Sequence, residues 1–222
     1  MPLALFDLDN TLLDRATSFL RWATRFAAEH ALGPADVAWL VDADGDGSVP
    51  RPLFLAAIRE QFAVDLPMTA YQAEIVELVE LDPAVPLALD GLRAVGWRVA
   101  IVTNGQTRQQ SAKIRHTGLD AHVDAVAISE EAGDRKPGRR IFEAAAQRCG
   151  ARLSDGGWMI GDAAEADIGG GRSAGLRTVW MRRGREWDPA FPRRTGSPTT
   201  SPLPWKHSVR HRLRESVRPK RA

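Results

Sequence analysis

Four short polar stretches, three following an apolar run and one preceding a helical pattern, contain the residues with which this chain could do chemistry. The first lies in Leu3-Ala4-Leu5-Phe6-Asp7-Leu8-Asp9-Asn10-Thr11-Leu12-Leu13-Asp14. Its apolar start reads as a buried strand, and it runs directly into two carboxylates separated by one residue. Side chains two apart on an extended segment face the same side, so Asp7 and Asp9 can address one reacting group. Acids that close repel unless a cation or a shared proton intervenes, which points to a divalent metal. The plainer alternative, that Asp and Asn only turn the chain here, has to be weighed against three further stretches downstream. These are Thr103-Asn104-Gly105, Lys136-Pro137, and Gly161-Asp162 with Asp167. Alone, each is ordinary: a Thr after a strand is usually a turn residue, and a Lys before Pro usually lies on the surface. Their order, and delivery to one sheet edge, make the combination specific, because open α/β sheets bind ligands beyond the carboxyl ends of their strands.

The elements needed to position these residues follow from the pattern. Strands are predicted over Trp97–Val102, Ala125–Ile128, Gly157–Ile160 and Leu176–Trp180, separated by helical stretches near 86–95, 107–115, 139–148 and 168–174. Strands alternating with helices imply an α/β fold, a three-layer Rossmann-like parallel sheet. Between the first and second strands lie four helical patterns, about 16–31, 34–41, 51–62 and 69–81, too many for a simple crossover. They read as an inserted helical bundle. The expected division is 1–14 and 84–185 for the α/β core, 15–83 for the bundle, and 186–222 for a tail. Within the bundle, Asp42-Ala43-Asp44-Gly45-Asp46-Gly47 matches the first half of a calcium-binding EF-hand loop. Its twelfth position is Leu53 rather than Glu, and Pro50 and Pro52 interrupt it, so polar loop chemistry is the better reading.

Asp7-Leu8-Asp9-Asn10-Thr11-Leu12-Leu13-Asp14 resembles the nucleophile motif of the haloacid dehalogenase-like (HAD) hydrolases, and the later stretches resemble the remaining motifs of that superfamily. The similarity spans roughly residues 3–180 and points to the phosphoglycolate phosphatase-like group, with a helical cap inserted after the first strand. The resemblance implies a magnesium-dependent phosphatase acting on a small phosphorylated metabolite. Asp7 would be the nucleophile that forms an aspartyl-phosphate, splitting one hard step into two. Asp9 would protonate the leaving alcohol and then activate water, with its backbone carbonyl on the metal. Thr103 would bond the phosphate, helped by the Asn104 and Gly105 backbone; Lys136 would neutralise the phosphate and keep Asp7 ionised. Asp7 and Asp162 would hold Mg2+, an ion suited to an all-oxygen site, with Asp167 supporting from behind. Glu165 could be confused with Asp167, but the spacing of the family pattern favours Asp167. Arg15, Arg21 and Trp22, on the first helix of the cap, are candidates for substrate contact. Two rivals share the fold. A haloacid dehalogenase would need neither Asp9 nor the later acids, while a phosphosugar mutase uses the same acid pair and stays open.

Composition bounds the rest. The chain has 222 residues, 44% hydrophobic and 26% charged, an ordinary globular balance. A single cysteine, Cys149, excludes an internal disulfide framework and fits a reducing compartment. No basic start followed by an apolar run marks a signal peptide, and no uncharged apolar stretch is long enough to span a membrane; a cytoplasmic protein is expected. The net charge of +2 hides an asymmetry: residues 182–222 carry 12 Lys and Arg against three acids, whereas 1–181 are acidic. The tail, rich in Pro and Arg with few large apolar residues, is expected to be disordered. A basic arm could bind nucleic acid, a function of a different class, but the tail lacks interleaved aromatics for base stacking.

Overall fold

The computed structural model describes residues 1–186; the expected tail lies, from residue 187 on, outside the described residues. The described residues divide into two compact units, 1–12 together with 81–186, and Leu13–Glu80.

The first unit is built on five parallel strands: β1 (Leu3–Phe6), β2 (Arg98–Thr103), β3 (Ala125–Ile128), β4 (Trp158–Gly161) and β5 (Arg177–Trp180). Their order across the sheet is β3-β2-β1-β4-β5. β1 is central, paired with β2 through Leu5↔Ala100 and with β4 through Leu5↔Met159. A strand bonded on both edges and covered on both faces must be apolar throughout, and all four β1 residues are buried. Alternation sends Leu3 and Leu5 to one face, where they join Val102, Met159 and the helix α8 (Arg139–Arg148). α8 supplies Ile141, Phe142, Ala145 and Ala146, the three- and four-residue recurrence of a helix lying on a sheet. Cys149 closes that stripe, buried and free of any disulfide. α5 (Ala84–Ala94) packs on β2, and α6 (Thr107–His116) follows β2. Two features have no clear signal in the sequence: the four-residue helix α7 (Ser129–Ala132), and a wide π-type turn, Ala164–Gly169, leading into α9 (Gly170–Ser173). The run Gly169-Gly170-Gly171 lowers helix propensity, and the helix expected near 168–174 is correspondingly short, Gly170–Ser173. The run serves close packing instead: a Cβ on Gly171 would sit 2.8 Å from Met159 Cβ.

The chain leaves β3 on one side of β1 and returns through β4 on the other, so the sheet order reverses between β1 and β4. In a parallel sheet this is where a crevice opens beyond the strand ends.

The second unit holds α1 (Arg15–Glu29), α2 (Pro34–Asp44), α3 (Arg51–Phe62) and α4 (Met68–Glu77). Asp14 caps α1, its Oδ1 accepting from Thr17 N at 3.1 Å. The core is aromatic: Trp22 stacks on Phe26 with centroids 5.2 Å apart and meets Tyr71 edge-on at 5.0 Å. Trp22 is therefore a packing residue, fully buried and donating to Glu74 at 2.8 Å, rather than the substrate contact suggested by its position. Arg21 pairs with Glu80.

The EF-hand-like stretch has a structural use. Asp44, nearly inaccessible, accepts from Arg15 at 2.6 and 2.8 Å, from Arg51 at 2.5 Å and from the Gly47 N–H at 2.9 Å. Two guanidiniums and a turn amide occupy the carboxylate, which leaves it as an anchor for the α2–α3 loop. Burial alone would raise the Asp44 pKa, but Arg15 and Arg51 outweigh it and hold it below the ordinary 3.8. A lowered acid stabilises the fold above its unfolded-state pKa, and that stability is lost as pH falls through the folded value. Asp44→Asn should therefore cost about 2–4 kcal/mol at pH 7, leaving two arginines short of a counter-ion. It should also flatten the loss of stability below pH 4, read by urea unfolding monitored through tryptophan fluorescence.

Candidate active site

Register alone brings the first two acids together. Phe6 is opposite Ile160, and the ladder continues one step further, where Asp7 N donates to Ile160 O at 2.9 Å. Asp7 therefore leaves the end of β1 beside Asp162 leaving the end of β4. The π-type turn that follows carries Asp167 back over the strand end. Ligand oxygens of Asp7, Asp162 and Asp167 lie within 4.8 Å of one another, and all three residues are buried. Glu165, the near alternative in sequence, points to solvent.

Lys136 joins this group from the loop before α8. Its Nζ donates to Asp7 Oδ1 at 2.6 Å, to Asp167 Oδ1 at 2.7 Å and to Val102 O at 2.8 Å. An ammonium has three N–H donors, so all are committed. Lys136 thus acts as counter-ion and strut for the carboxylates, while the expected direct bond to phosphate would require it to release one of them. Its backbone is pinned by Asn104, whose Nδ2 donates to Lys136 O at 3.0 Å while Oδ1 accepts from Lys136 N at 2.9 Å. The Lys136–Pro137 peptide is cis. Asn104 therefore works through its side chain, as a staple between the β2 end and the lysine loop. The Gly105 N–H, expected to serve phosphate, donates to Ser129 Oγ at 3.0 Å. Thr103 Oγ1 accepts from Gln110 at 2.7 Å, an arrangement that leaves the hydroxyl proton available. Thr11, in the loop after β1, keeps a buried Oγ1 without a hydrogen-bond partner among the described residues.

Asp9 lies on the same edge with a different environment. Lys113 Nζ donates to both its oxygens, at 2.9 and 2.8 Å, and Gln110 Nε2 to one of them at 3.0 Å. Neither residue was singled out from sequence; the one available signal was their three-residue spacing on the helix that follows Thr103. Arg185 was also missed. It donates to Asp162 through both the carboxylate and the main-chain oxygen, each at 2.8 Å, and Trp180 Nε1 caps the same main-chain oxygen at 2.8 Å.

The donor set fits a hard divalent cation such as Mg2+. It is all carboxylate oxygen: Asp7 and Asp167 share Lys136, Asp162 pairs with Arg185 and Asp9 with Lys113, so among these groups the acids outnumber the cations. Titration of the side chains reflects the same shortage. Burial, with Asp167 and Asp162 adding to it and Lys136 opposing, pushes the Asp7 carboxyl up to about 8. For Lys136, burial disfavours the charge, but Asp167 and Asp7 outweigh it and hold the ammonium protonated.

The fold and site define a parallel α/β protein with an acid cluster at the switch point. The sequence comparison makes this specific: the haloacid dehalogenase-like hydrolase family model matches residues 1–175, and the chain belongs to that family. Among its relatives are the pyrimidine 5'-nucleotidase YjjG of Escherichia coli (37% identical over 112 residues, 50% of each chain) and a ribulose-1,5-bisphosphate 5-phosphatase of Halopiger xanaduensis (38% over 119 residues, 54% of this chain and 49% of that one). A glyceraldehyde 3-phosphate phosphatase of Methanopyrus kandleri is 32% identical over 142 residues, 64% of this chain and 57% of that one. The matched stretch thus spans about half the length of these curated relatives. Of solved structures, the magnesium-bound HAD-hydrolase YfnB of Bacillus subtilis superposes with a TM-score of 0.66 at 22% identity, over 83% of this chain and 90% of that one. A beta-phosphoglucomutase structure from Thermotoga maritima gives 0.67 at 18%, over 81% and 85%. At these identities the superpositions establish the fold. No helix among the described residues is long and apolar enough to cross a membrane.

Two stability predictions follow from this geometry. A folded-state pKa raised above the unfolded value makes stability fall as pH rises from about 4 toward 8. In EDTA at pH 8, Asp7→Asn should therefore melt about 3–6 °C above wild type in a calorimeter. Gly161 is the second test, because a Cβ there would lie 2.2 Å from Asp167 Oδ2 and 2.5 Å from Asp167 Cβ. Gly161→Ala should cost about 1–3 kcal/mol in urea unfolding by overpacking the acid cluster.

Proposed function

We propose that this chain hydrolyses the phosphomonoester of a small metabolite in two steps through Asp7. The observation that carries the reading is the convergence of Asp7, Asp162 and Asp167 around the ammonium of Lys136, with Asp9 two residues beyond the nucleophile. In the first step an Asp7 oxygen attacks phosphorus in line, the bond from phosphorus to the leaving oxygen breaks, and that oxygen takes a proton from Asp9, which enters this step as the acid and regains its proton from water in the second. In the second, Asp9 takes a proton from water, which attacks the aspartyl-phosphate and releases inorganic phosphate with Asp7 restored. Lys136 keeps Asp7 oriented, and the free proton of Thr103 suits a phosphate oxygen. Magnesium, held by Asp7 and Asp162 with Asp167 supporting, would supply the positive charge that phosphoryl transfer needs at the equatorial oxygens.

The relatives' own substrates support the class: a pyrimidine nucleotide, a sugar bisphosphate, a triose phosphate and, for a Thermus thermophilus relative, phosphoserine. All are small phosphate esters. The role of residues 15–83 as a substrate-selecting cap belongs to the same proposal. So does a cytoplasmic setting, in which the free, buried Cys149 is at ease.

Purified protein should hydrolyse para-nitrophenyl phosphate with magnesium and lose the activity in EDTA. Asp7→Asn should lower kcat by at least ~10³-fold with its fold intact. Turnover that survives in Asp7→Asn, or that is indifferent to magnesium, would contradict the mechanism.

A further inference from the structure

α6 carries two buried polar side chains that nothing in the reaction scheme above employs. Arg108, Arg115 and His116 on this helix reach solvent, as expected for a polar surface helix, whereas Gln110 is 2% exposed and Lys113 3%. Residues three apart share a helix face, so the two side chains are directed to one place. That place is Asp9. Lys113 Nζ spans both carboxylate oxygens at 2.9 and 2.8 Å. The Gln110 amide nitrogen then bridges, with one hydrogen to Asp9 Oδ2 at 3.0 Å and the other to Thr103 Oγ1 at 2.7 Å. The amide orientation is set by its surroundings, because a carbonyl oxygen turned toward the Asp9 carboxylate would meet only another acceptor.

An ammonium placed this deep in a protein is costly unless an anion accompanies it, and a buried ion pair returns little net stability compared with apolar residues of the same shape. If α6 only needed to be fastened to the loop after β1, an apolar pair at 9 and 113 would do so at lower cost. The ion pair does, however, fix the orientation of one carboxylate at both oxygens and link it through Gln110 to the Thr103 hydroxyl. Proton transfer to a leaving oxygen depends on a carboxyl held in the right geometry, so orientation is what such a contact can contribute.

We propose that Lys113 and Gln110 are positioning residues that hold Asp9 in its working orientation and couple it to Thr103. This rests on the proposed two-step hydrolysis, in which Asp9 serves the leaving group, and it extends the site onto a helix face outside the acid cluster. The α6 pair acts on the carboxylate that handles the leaving alcohol, just as Lys136 acts on the nucleophile.

The test uses two esters of nearly the same shape whose leaving groups differ in their need for a proton. The para-nitrophenolate ion leaves readily without protonation, whereas phenolate from phenyl phosphate is far more basic. A misoriented Asp9 therefore slows phenyl phosphate selectively, in kcat/KM, which reports the step in which the leaving group departs. For Lys113→Met, kcat/KM should fall at least ten-fold more for phenyl phosphate than for para-nitrophenyl phosphate; Gln110→Met should shift the ratio the same way, and Lys113→Arg should restore part of it. A fastening role would lower both esters equally, and that result, or no change in either, would overturn the inference. Loss of turnover by wild type on both esters with magnesium would instead remove the hydrolysis itself, and this inference with it. Should Lys113→Met fold poorly in circular dichroism, Gln110→Met carries the comparison. The crystal structure of either variant gives a readout independent of turnover: Asp9 displaced or divided between rotamers supports positioning, and Asp9 unmoved refutes it.

Discussion

Crowding of like charge at one end of a parallel sheet is the constraint on which the rest of this structure depends. Asp7, Asp162 and Asp167 are all buried, with oxygens close enough to share a ligand, and no arrangement of three carboxylates is stable there alone. Lys136 is the first answer. Its ammonium spends every donor on Asp7, Asp167 and the Val102 carbonyl. Much of the surrounding architecture serves to keep it there: the reciprocal bonds of Asn104 to the lysine backbone, the glycine at 161 that makes room for Asp167, and the π-type turn that brings Asp167 over the strand end. Arg185 supplies a second positive charge at Asp162. Among these five groups the acids outnumber the cations by one, a balance that suits a divalent cation. The raised pKa of Asp7 belongs to the same balance, since burying three carboxylates together at the strand ends gives up stability.

How much of this the sequence disclosed depends on how local the signal is. The central strand was legible because β1 is buried on both faces and so must be an unbroken apolar run. Asp7, Thr103 and Asp162 were legible because each lies at the end of a strand, and Lys136 because it lies in the loop leading into a helix, in the order an α/β sheet requires. Spacing separated Asp167 from Glu165, and burial separates them in space. What could not be read were partnerships across long separations. Nothing near Lys113 in sequence indicates that its anion is 104 residues away, and on a helix with several other cations it looks like one more solvated charge. The side-chain use of Asn104, and the commitment of the Gly105 N–H to Ser129, depend on loops whose geometry local propensity does not encode.

The helical unit teaches the same lesson in reverse. Its acidic loop invited a metal reading, yet Asp44 is taken by Arg15, Arg51 and Gly47, and among the described residues the one cluster with metal-ligand geometry is that at the strand ends. Trp22 followed the same course, from apparent substrate contact to the centre of an aromatic core. In both cases residue type raised a functional possibility, and burial with satisfied partners identified packing instead. At the sheet edge the opposite holds. There the acids outnumber the cations beside them and, among the described residues, the Thr11 hydroxyl has no partner, which is the signature expected where a ligand completes the set.

The central claim is that phosphate passes through the Asp7 carboxylate. The direct measurement is to quench the wild-type enzyme in acid during turnover of para-nitrophenyl phosphate with magnesium, and to map phosphorylated peptides by mass spectrometry. This account predicts an acid-stable, hydroxylamine-labile phosphoryl group on the peptide containing Asp7. Steady turnover with that peptide unmodified, and a phosphoryl group recovered on a different residue, would contradict it.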